Sequence, residues 1–180
     1  MTVLQRTPDN VNILQPTKYL VTFDRIPDTQ YFCQKANIPG ATMPEAKIDS
    51  PFHNYTVAGL NIQYNKINLD FIIDESLLSW RNIYEWMLAI SSPVSFEERN
   101  YYKAKQNPKP NPFPSYSDMT LTVMSGLNNP VVRVQFYNAF PIYLSDIDFD
   151  TTLSADHTMT AQASFNYEFY EFVEITWHLL

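Results

Sequence analysis

Asp146, Asp148 and Asp150 occupy every second position of Leu144-Ser145-Asp146-Ile147-Asp148-Phe149-Asp150. On an extended strand that spacing sets the carboxylates on one side and Ile147 and Phe149 on the other. Three chemistries fit such a row: a cation site, an acidic surface facing DNA, or a solvated edge whose charge repels wrong pairing. Side chains two apart on a strand diverge too far for the looped oxygen cage that calcium prefers. Glu97 with Glu98, and Glu168 with Glu171 and Glu174, could be cast as the acid and base of a glycosidase. In an acidic chain such groups ordinarily serve as surface charge.

Other catalytic and cofactor chemistry finds little footing. His53, His157 and His178 stand far apart without a partner three or four residues away, and Cys33 adds no nearby ligand, so no zinc spacing exists. Cys33 is the sole cysteine; it can form no internal disulfide and reads as a small buried apolar residue in a reducing setting. Glycine occurs only at Gly40, Gly59 and Gly126, which excludes the loops that cradle phosphates. No cofactor is expected. The net charge of −7 argues against a protein that grips nucleic acid, since that affinity comes from Lys and Arg on phosphates. With no signal-peptide pattern at Met1 to Leu14 and no segment approaching a membrane span, the expectation is a soluble chain without membrane contact.

The elements that would position these residues are mostly strands. Twelve Tyr and twelve Phe against three Gly favour pleated surfaces, and 45% apolar content in 180 residues suffices for one core. An irregular arm over 1–17 leads to a first strand, Lys18 to Phe23, expected to form a hairpin with Gln30 to Ala36, in which Tyr31, Cys33 and Lys35 share one face and Phe32, Gln34 and Ala36 the other. Residues 40–64, with Gly40, Pro44, Pro51, Tyr55, Gly59 and Tyr64, form a long connection, best read as a projecting hairpin. Ile67, Leu69, Phe71 and Ile73 alternate with Lys66, Asn68 and Asp70 as a half-buried strand.

Asp74-Glu75-Ser76 supplies capping groups for a helix over 75–90, whose Trp80, Ile83, Met87 and Ile90 recur at helical spacing. Trp80 and Trp86 could stack sugars or bases, but that periodicity makes them core. Arg81 and Glu85 pair on its polar side. Residues 97–116 form an extended loop stiffened by Pro108, Pro110, Pro112 and Pro114, either an ordered loop or an SH3-type ligand. A second hairpin joins Met119 to Val123 with Val132 to Phe136. Pro141 ends one segment, and strands at Ser145 to Phe149 and Met159 to Phe172 close the fold, with a tail at 175–180.

Several short stretches carry a family likeness. Ala36-Asn37-Ile38-Pro39-Gly40, the projecting segment with Val57-Ala58-Gly59, the strand ending in Asp74-Glu75, and the helix with Arg81 and Trp86 come in that order. Ala139-Phe140-Pro141, Leu144-Ser145-Asp146-Ile147 and the Phe165 to Phe172 strand follow. Over about Lys18 to Phe172 the chain resembles the tail tube proteins of contractile-tailed bacteriophages. The resemblance implies a mainly β fold, a sandwich or barrel-like tail-tube domain over 18–174 with one flanking helix. It implies homohexameric rings stacking into a tube that conducts DNA, contacts with sheath and baseplate or neck proteins, assembly in the host cytoplasm, and residence in the virion. Gly40, Pro44, Pro51, Tyr55, Gly59 and Tyr64 would belong to the ring-stacking segment, and Asp146, Asp148 and Asp150 would be candidates for an acidic lumen.

The long arm, the proline-rich loop and the tail with Trp177 depart from a minimal tube subunit. They leave open a tube initiator, terminator or baseplate adaptor beside the repeating subunit. From other classes come a carbohydrate-binding β-sandwich that uses Tyr101 and Tyr102, and an enzyme built on the paired glutamates.

Overall fold

The computed structural model describes residues 12–26, 32–91, 95–97, 100–101, 116–152, 154 and 158–174. Its strands are β1 (Tyr19–Phe23), β2 (Cys33–Ala36), β3 (Ala41–Thr42), β4 (Glu45–Ile48), β5 (Tyr55–Ala58), β6 (Gln63–Tyr64), β7 (Ile67–Ile72), β8 (Ser117–Met124), β9 (Pro130–Leu144), β10 (Thr160–Asn166) and β11 (Phe169–Glu174), and helix α1 (Leu78–Ile90) lies between β7 and β8. The fold is mainly β, as expected.

β9 organises the body. Its first half pairs with β8 on one side and β11 on the other, and its second half pairs with β10. Asn166 opposes Phe140 and Phe169 opposes Tyr137 in one unbroken register, so β10 and β11 act as a single strand running antiparallel to β9. The roles exchange along this ribbon. β9 is central in the layer β1-β8-β9-β11, whereas β10 is central in the layer β9-β10-β7-β2.

Alternation explains how one ribbon serves two layers. Val134 and Phe136 are buried, then Ala139 and Pro141; on the partner, Phe165 and Tyr167 are buried, then Tyr170 packs on the core. Each strand slips its inward phase by one residue at the same level, Asn138 opposite the Glu168 region. Asn138 takes φ 54, a left-handed conformation that asparagine tolerates better than most residues. Its N–H donates to Asp118 Oδ1 at 3.2 Å and its Nδ2 to Glu168 Oε2 at 2.7 Å.

Between the layers Phe23 meets Phe165 at 5.4 Å between ring centres, and Trp86 of α1 meets Phe165 at 5.8 Å. The Arg25 guanidinium lies 5.3 Å over the Trp86 ring, and burial lowers its pKa to about 10. Trp86, Ile83 and Ala89 are wholly buried, so the helix fills the space the bent sheet leaves open. Among the described residues the sheet does not close into a barrel: β1 and β2 end the strand path, and the Tyr19 and Cys33 side chains meet between them.

Five local expectations need correction. β1 pairs with β8 and β2 with β7, so the first two strands form no hairpin; their partners lie far along the chain. A bulge between Cys33 and Lys35 breaks the strict alternation of β2. Pro141 does not end a segment but lies inside β9, where that strand has become an edge and a proline is tolerated. The helix starts at Leu78, three residues late, because Leu77 sits at φ 54 and Asp74 caps from outside, accepting from the Leu78 and Ser79 N–H groups at 3.2 Å. Glu85, expected on the polar side, is 8% exposed, although its ion pair with Arg81 forms at 3.8 Å.

Candidate assembly surfaces

Asp146, Asp148 and Asp150 are exposed but do not lie on a strand. The Ser145 N–H donates to the Gln162 carbonyl at 2.8 Å, and beyond it, among the described residues, no partner strand holds the backbone extended. Asp150 turns back on Thr152, accepting from its N–H at 2.8 Å and its hydroxyl at 2.7 Å, which holds the Asp150 carboxyl below its usual range. The row of three carboxylates on one face is therefore replaced by an irregular acidic segment carrying Phe149, 78% exposed.

The glutamates are not brought together as an acid–base pair among the described residues. Glu97 is exposed, Glu168 is engaged by Asn138, and Glu171 accepts from the Tyr137 hydroxyl at 3.4 Å; Glu98 and the side chain of Glu174 lie outside the description. Tyr101 is exposed and Tyr102 lies outside, as do His157, His178 and the prolines of the 97–116 loop. His53 packs on Tyr55 at 5.9 Å. Among the described residues no group of His, Cys, Asp or Glu side chains is arranged to hold a metal ion, and no helix is long and apolar enough to cross a membrane. Burial pushes the Cys33 thiol up to about 11, which suppresses the nucleophilic thiolate at neutral pH.

Among the described residues two sheet edges are open besides those of β1 and β2. β11 has a partner only on its β9 side, and β9 beyond Ala139 has a partner only on its β10 side. Each presents unpaired backbone groups of the kind that another strand can extend. Phe172 on β11 is 60% exposed and Tyr143 on β9 is 49% exposed. At the bend between these edges lies a cleft of about 320 Å³ lined by Tyr116, Asn138, Phe140, Tyr167 and Glu168.

The third surface is the ribbon formed by β3 to β6. Gly40 and Tyr64 belong to its root, Pro44 and Gly59 meet in its middle, and Pro51 and Tyr55 lie toward its tip. In its outer part Ala46 opposes Val57 and Ile48 opposes Tyr55, which gathers an apolar face, while Glu45, Lys47 and Thr56 fill the other. Every residue of β4 and β5 is exposed, and Phe52 at the turn is 95% exposed. An isolated two-stranded hairpin is marginally stable in water, so a naked apolar face of this kind marks a surface meant to be covered.

Sequence reading missed the tyrosines beneath this ribbon. Tyr64 contacts Tyr167 at 6.0 Å and Tyr170 at 5.3 Å, and both of those meet Phe136. A signal existed in the slip of alternation between Phe165-Tyr167 and Tyr170, which turns all three rings inward. It was hidden because a run of aromatics reads the same in either phase.

Residues 10–173 match the family model described as phage tail tube protein. The chain belongs to that family. This tail tube family member is 26% identical over 167 residues to the tail tube terminator protein of Enterobacteria phage T4, a match covering 89% of each chain. Among solved structures it resembles the tube-terminating cap of the anti-feeding prophage, with a TM-score of 0.64 at 14% identity, covering 97% of this chain and 100% of that one. It also resembles the sheath/tube terminator of the PVC extracellular contractile injection system in its extended state, with a TM-score of 0.57 at 11% identity over 91% and 99% of the two chains. At these identities the structural likeness establishes the fold, a tail-tube fold with an open sheet.

Proposed function

We propose that this chain is a tube terminator, a structural virion protein that closes the growing end of a contractile tail tube. The observation that carries the reading is the likeness, along nearly the full length of both chains, to the phage T4 tail tube terminator. This reading displaces the expectation of a repeating tube subunit in favour of the tube-end alternative. Copies join laterally through the open edges of β11 and distal β9 into a homohexameric ring, because pairing those edges removes exposed backbone. The projecting ribbon, with Gly40, Pro44, Pro51, Tyr55, Gly59 and Tyr64, docks axially on the last ring of the tube. Sheath and neck proteins meet the outside, and DNA passes through the ring without base contacts. Asp146, Asp148 and Asp150 contribute negative charge to that passage, where like charge discourages tight phosphate binding. The chain performs no catalysis.

The test is to mix the purified protein with polymerising tube subunit from the same tail and follow tube length by negative-stain electron microscopy. A terminator sits as a single ring on tube ends and shortens the tubes as its concentration rises. Should the purified chain alone grow into long uniform tubes, the terminator reading fails and the repeating-subunit reading takes its place.

A further inference from the structure

The projecting ribbon is built in two lengths that are out of step. In the lower length Ala41 and Thr42 pair with Tyr64 and Gln63, and the Asn65 N–H donates to the Gly40 carbonyl at 2.9 Å. In the upper length Glu45 to Ile48 pair with Ala58 to Tyr55, and the Gly59 N–H donates to the Pro44 carbonyl at 2.7 Å. Between Thr42 and Pro44 the outgoing strand has only Met43, whereas between Gly59 and Gln63 the returning strand has Leu60, Asn61 and Ile62. This excess interrupts the ladder, and an interrupted ladder bends more easily than a continuous one. Leu60 is 99% exposed, and Met43 and Ile62 are about half exposed, so little side-chain packing stiffens the junction.

The lower length is held by different forces. The Tyr170 hydroxyl donates to the Pro39 carbonyl at 3.3 Å, just before β3, and the Tyr167 hydroxyl donates to the Asn65 carbonyl at 2.8 Å, just after β6. Each strand of the ribbon's root is thus tied by a phenol to the long bent strand of the body. Tyr64 adds ring contact with both tyrosines, and Tyr170 in turn touches Phe172 on the open β11 edge at 5.7 Å. Burial pushes the Tyr167 phenol up to about 12, so it remains a donor throughout the neutral range.

We propose that the ribbon is a two-part arm, its lower length clamped to the body by Tyr64, Tyr167 and Tyr170 and its upper length free to swing about Leu60, Asn61 and Ile62. The arm deepens the docking role proposed above and rests on it for its purpose. Swinging lets the apolar face of Ala46, Ile48, Tyr55 and Val57 seat on a neighbouring ring without disturbing the body sheets, while the clamp keeps the pivot in register with the lateral edge.

Paired nitroxide labels, placed in a Cys33→Ser background and read by pulsed electron resonance, test the arm in the isolated protein. A pair at Gln63 and Glu171 reports the clamp, and a pair at Thr56 and Glu171 reports the swing. The Thr56 distance distribution is expected to be about twofold wider than the Gln63 distribution. Tyr167→Phe with Tyr170→Phe widens the Gln63 distribution, and deletion of Asn61 and Ile62, which brings Met43 opposite Leu60 in one continuous ladder, narrows the Thr56 distribution. The proposal is overturned if the wild-type distributions are equally narrow or if the deletion leaves the Thr56 width unchanged. Should the double tyrosine variant unfold by circular dichroism, the deletion decides alone, since it touches no core residue. Tube-end binding by the same proteins separates the two readings: a swinging arm without capping sinks the terminator, and capping with a rigid arm sinks the hinge.

Discussion

The molecule carries two long antiparallel ribbons, and they accommodate a break in alternation in opposite ways. In the body, β9 and the continuous β10–β11 strand both slip by one residue at the level of Asn138 and Glu168, so the register stays the same from Phe165 to Glu174, and only a bulge between Ser164 and Phe165 shifts it beyond. The ladder survives, the ribbon bends, and two sheet layers share it. In the projection the extra residues lie on the returning strand, and β3–β6 and β4–β5 become separate short ladders. A matched slip makes a corner and an unmatched slip makes a joint. The corner is flanked by the aromatic rings of Tyr116, Phe140 and Tyr167, whereas at the joint Leu60 stands in water.

Core substitution separates the two ribbons most strongly. Trp86 is wholly buried against Phe165 beneath the bend, and Trp86→Ala should cost about 3–5 kcal/mol in urea unfolding, enough to leave the domain largely unfolded at modest denaturant. Phe52→Ala at the turn of the projection should shift the same curve by less than about 0.5 kcal/mol, because its ring already stands in water. Similar losses for the two variants would mean that the ribbon is packed on the body.

The corner itself comes next. Asn138 adopts φ 54, and Asn138→Val places a β-branched side chain in the left-handed region and removes the bond to Glu168, an expected loss of about 1–3 kcal/mol. Asn138→Gly should recover most of that loss, since glycine enters the region freely. If glycine were as damaging as valine, the hydrogen bond and not the backbone would set the corner.

The same residues define what could be read without a structure. Strand content and the buried faces of β7, β8 and proximal β9 follow from period-two alternation, which depends only on neighbours in sequence, and the projecting hairpin follows from the length of the connection over 40–64. Pairing partners do not: β1 seeks β8 and β2 seeks β7 across long stretches of chain, so a local hairpin was the natural but mistaken choice. Pro141 misled for a related reason. Proline signals an end only where a strand has partners on both sides, and nothing before the fold is known says that distal β9 is an edge. The strand expected at Asp146 to Asp150 does not form, because alternation holds a chain extended only beside a partner, and among the described residues none pairs with it. For the assembly surfaces, exposure of Phe52 and Leu60 is a property of the whole fold, and the residues that anchor the ribbon are aromatics indistinguishable from core.

A smaller effect concerns the helix that fills the space beneath the corner. Asp74 accepts from the Ser76 hydroxyl and from the N–H groups of Ser79 and Leu78, and these bonds hold its carboxyl well below the usual range. Asp74→Ala should cost about 1 kcal/mol, as loss of a capping side chain does. A carboxyl depressed in the folded state contributes stability that is complete above its unfolded value, about pH 4, and is lost as pH falls toward the folded value. Denaturation midpoints should therefore fall below about pH 4 in the wild type and fall less steeply in Asp74→Asn. The projection should ignore both changes, and parallel loss of amide protection in β4 and β5 would show the ribbons to be coupled through the helix.

The smallest global effect belongs to the joint. At Gly59 a Cβ would overlap the Pro44 carbonyl oxygen, the acceptor of the Gly59 N–H, so Gly59→Ala must push the two strands apart where the upper ladder begins. Because neither β4 nor β5 buries a side chain against the core, the disturbance has no route into the body. The urea midpoint should stay within about 0.5 kcal/mol of wild type while amide protection of Glu45 to Ile48 collapses in hydrogen exchange. Proteolysis should then begin between Asp49 and Asn54. A global loss of stability with the ladder still protected would mean that the strain is absorbed by the clamped root, and that corner and joint form one mechanical unit.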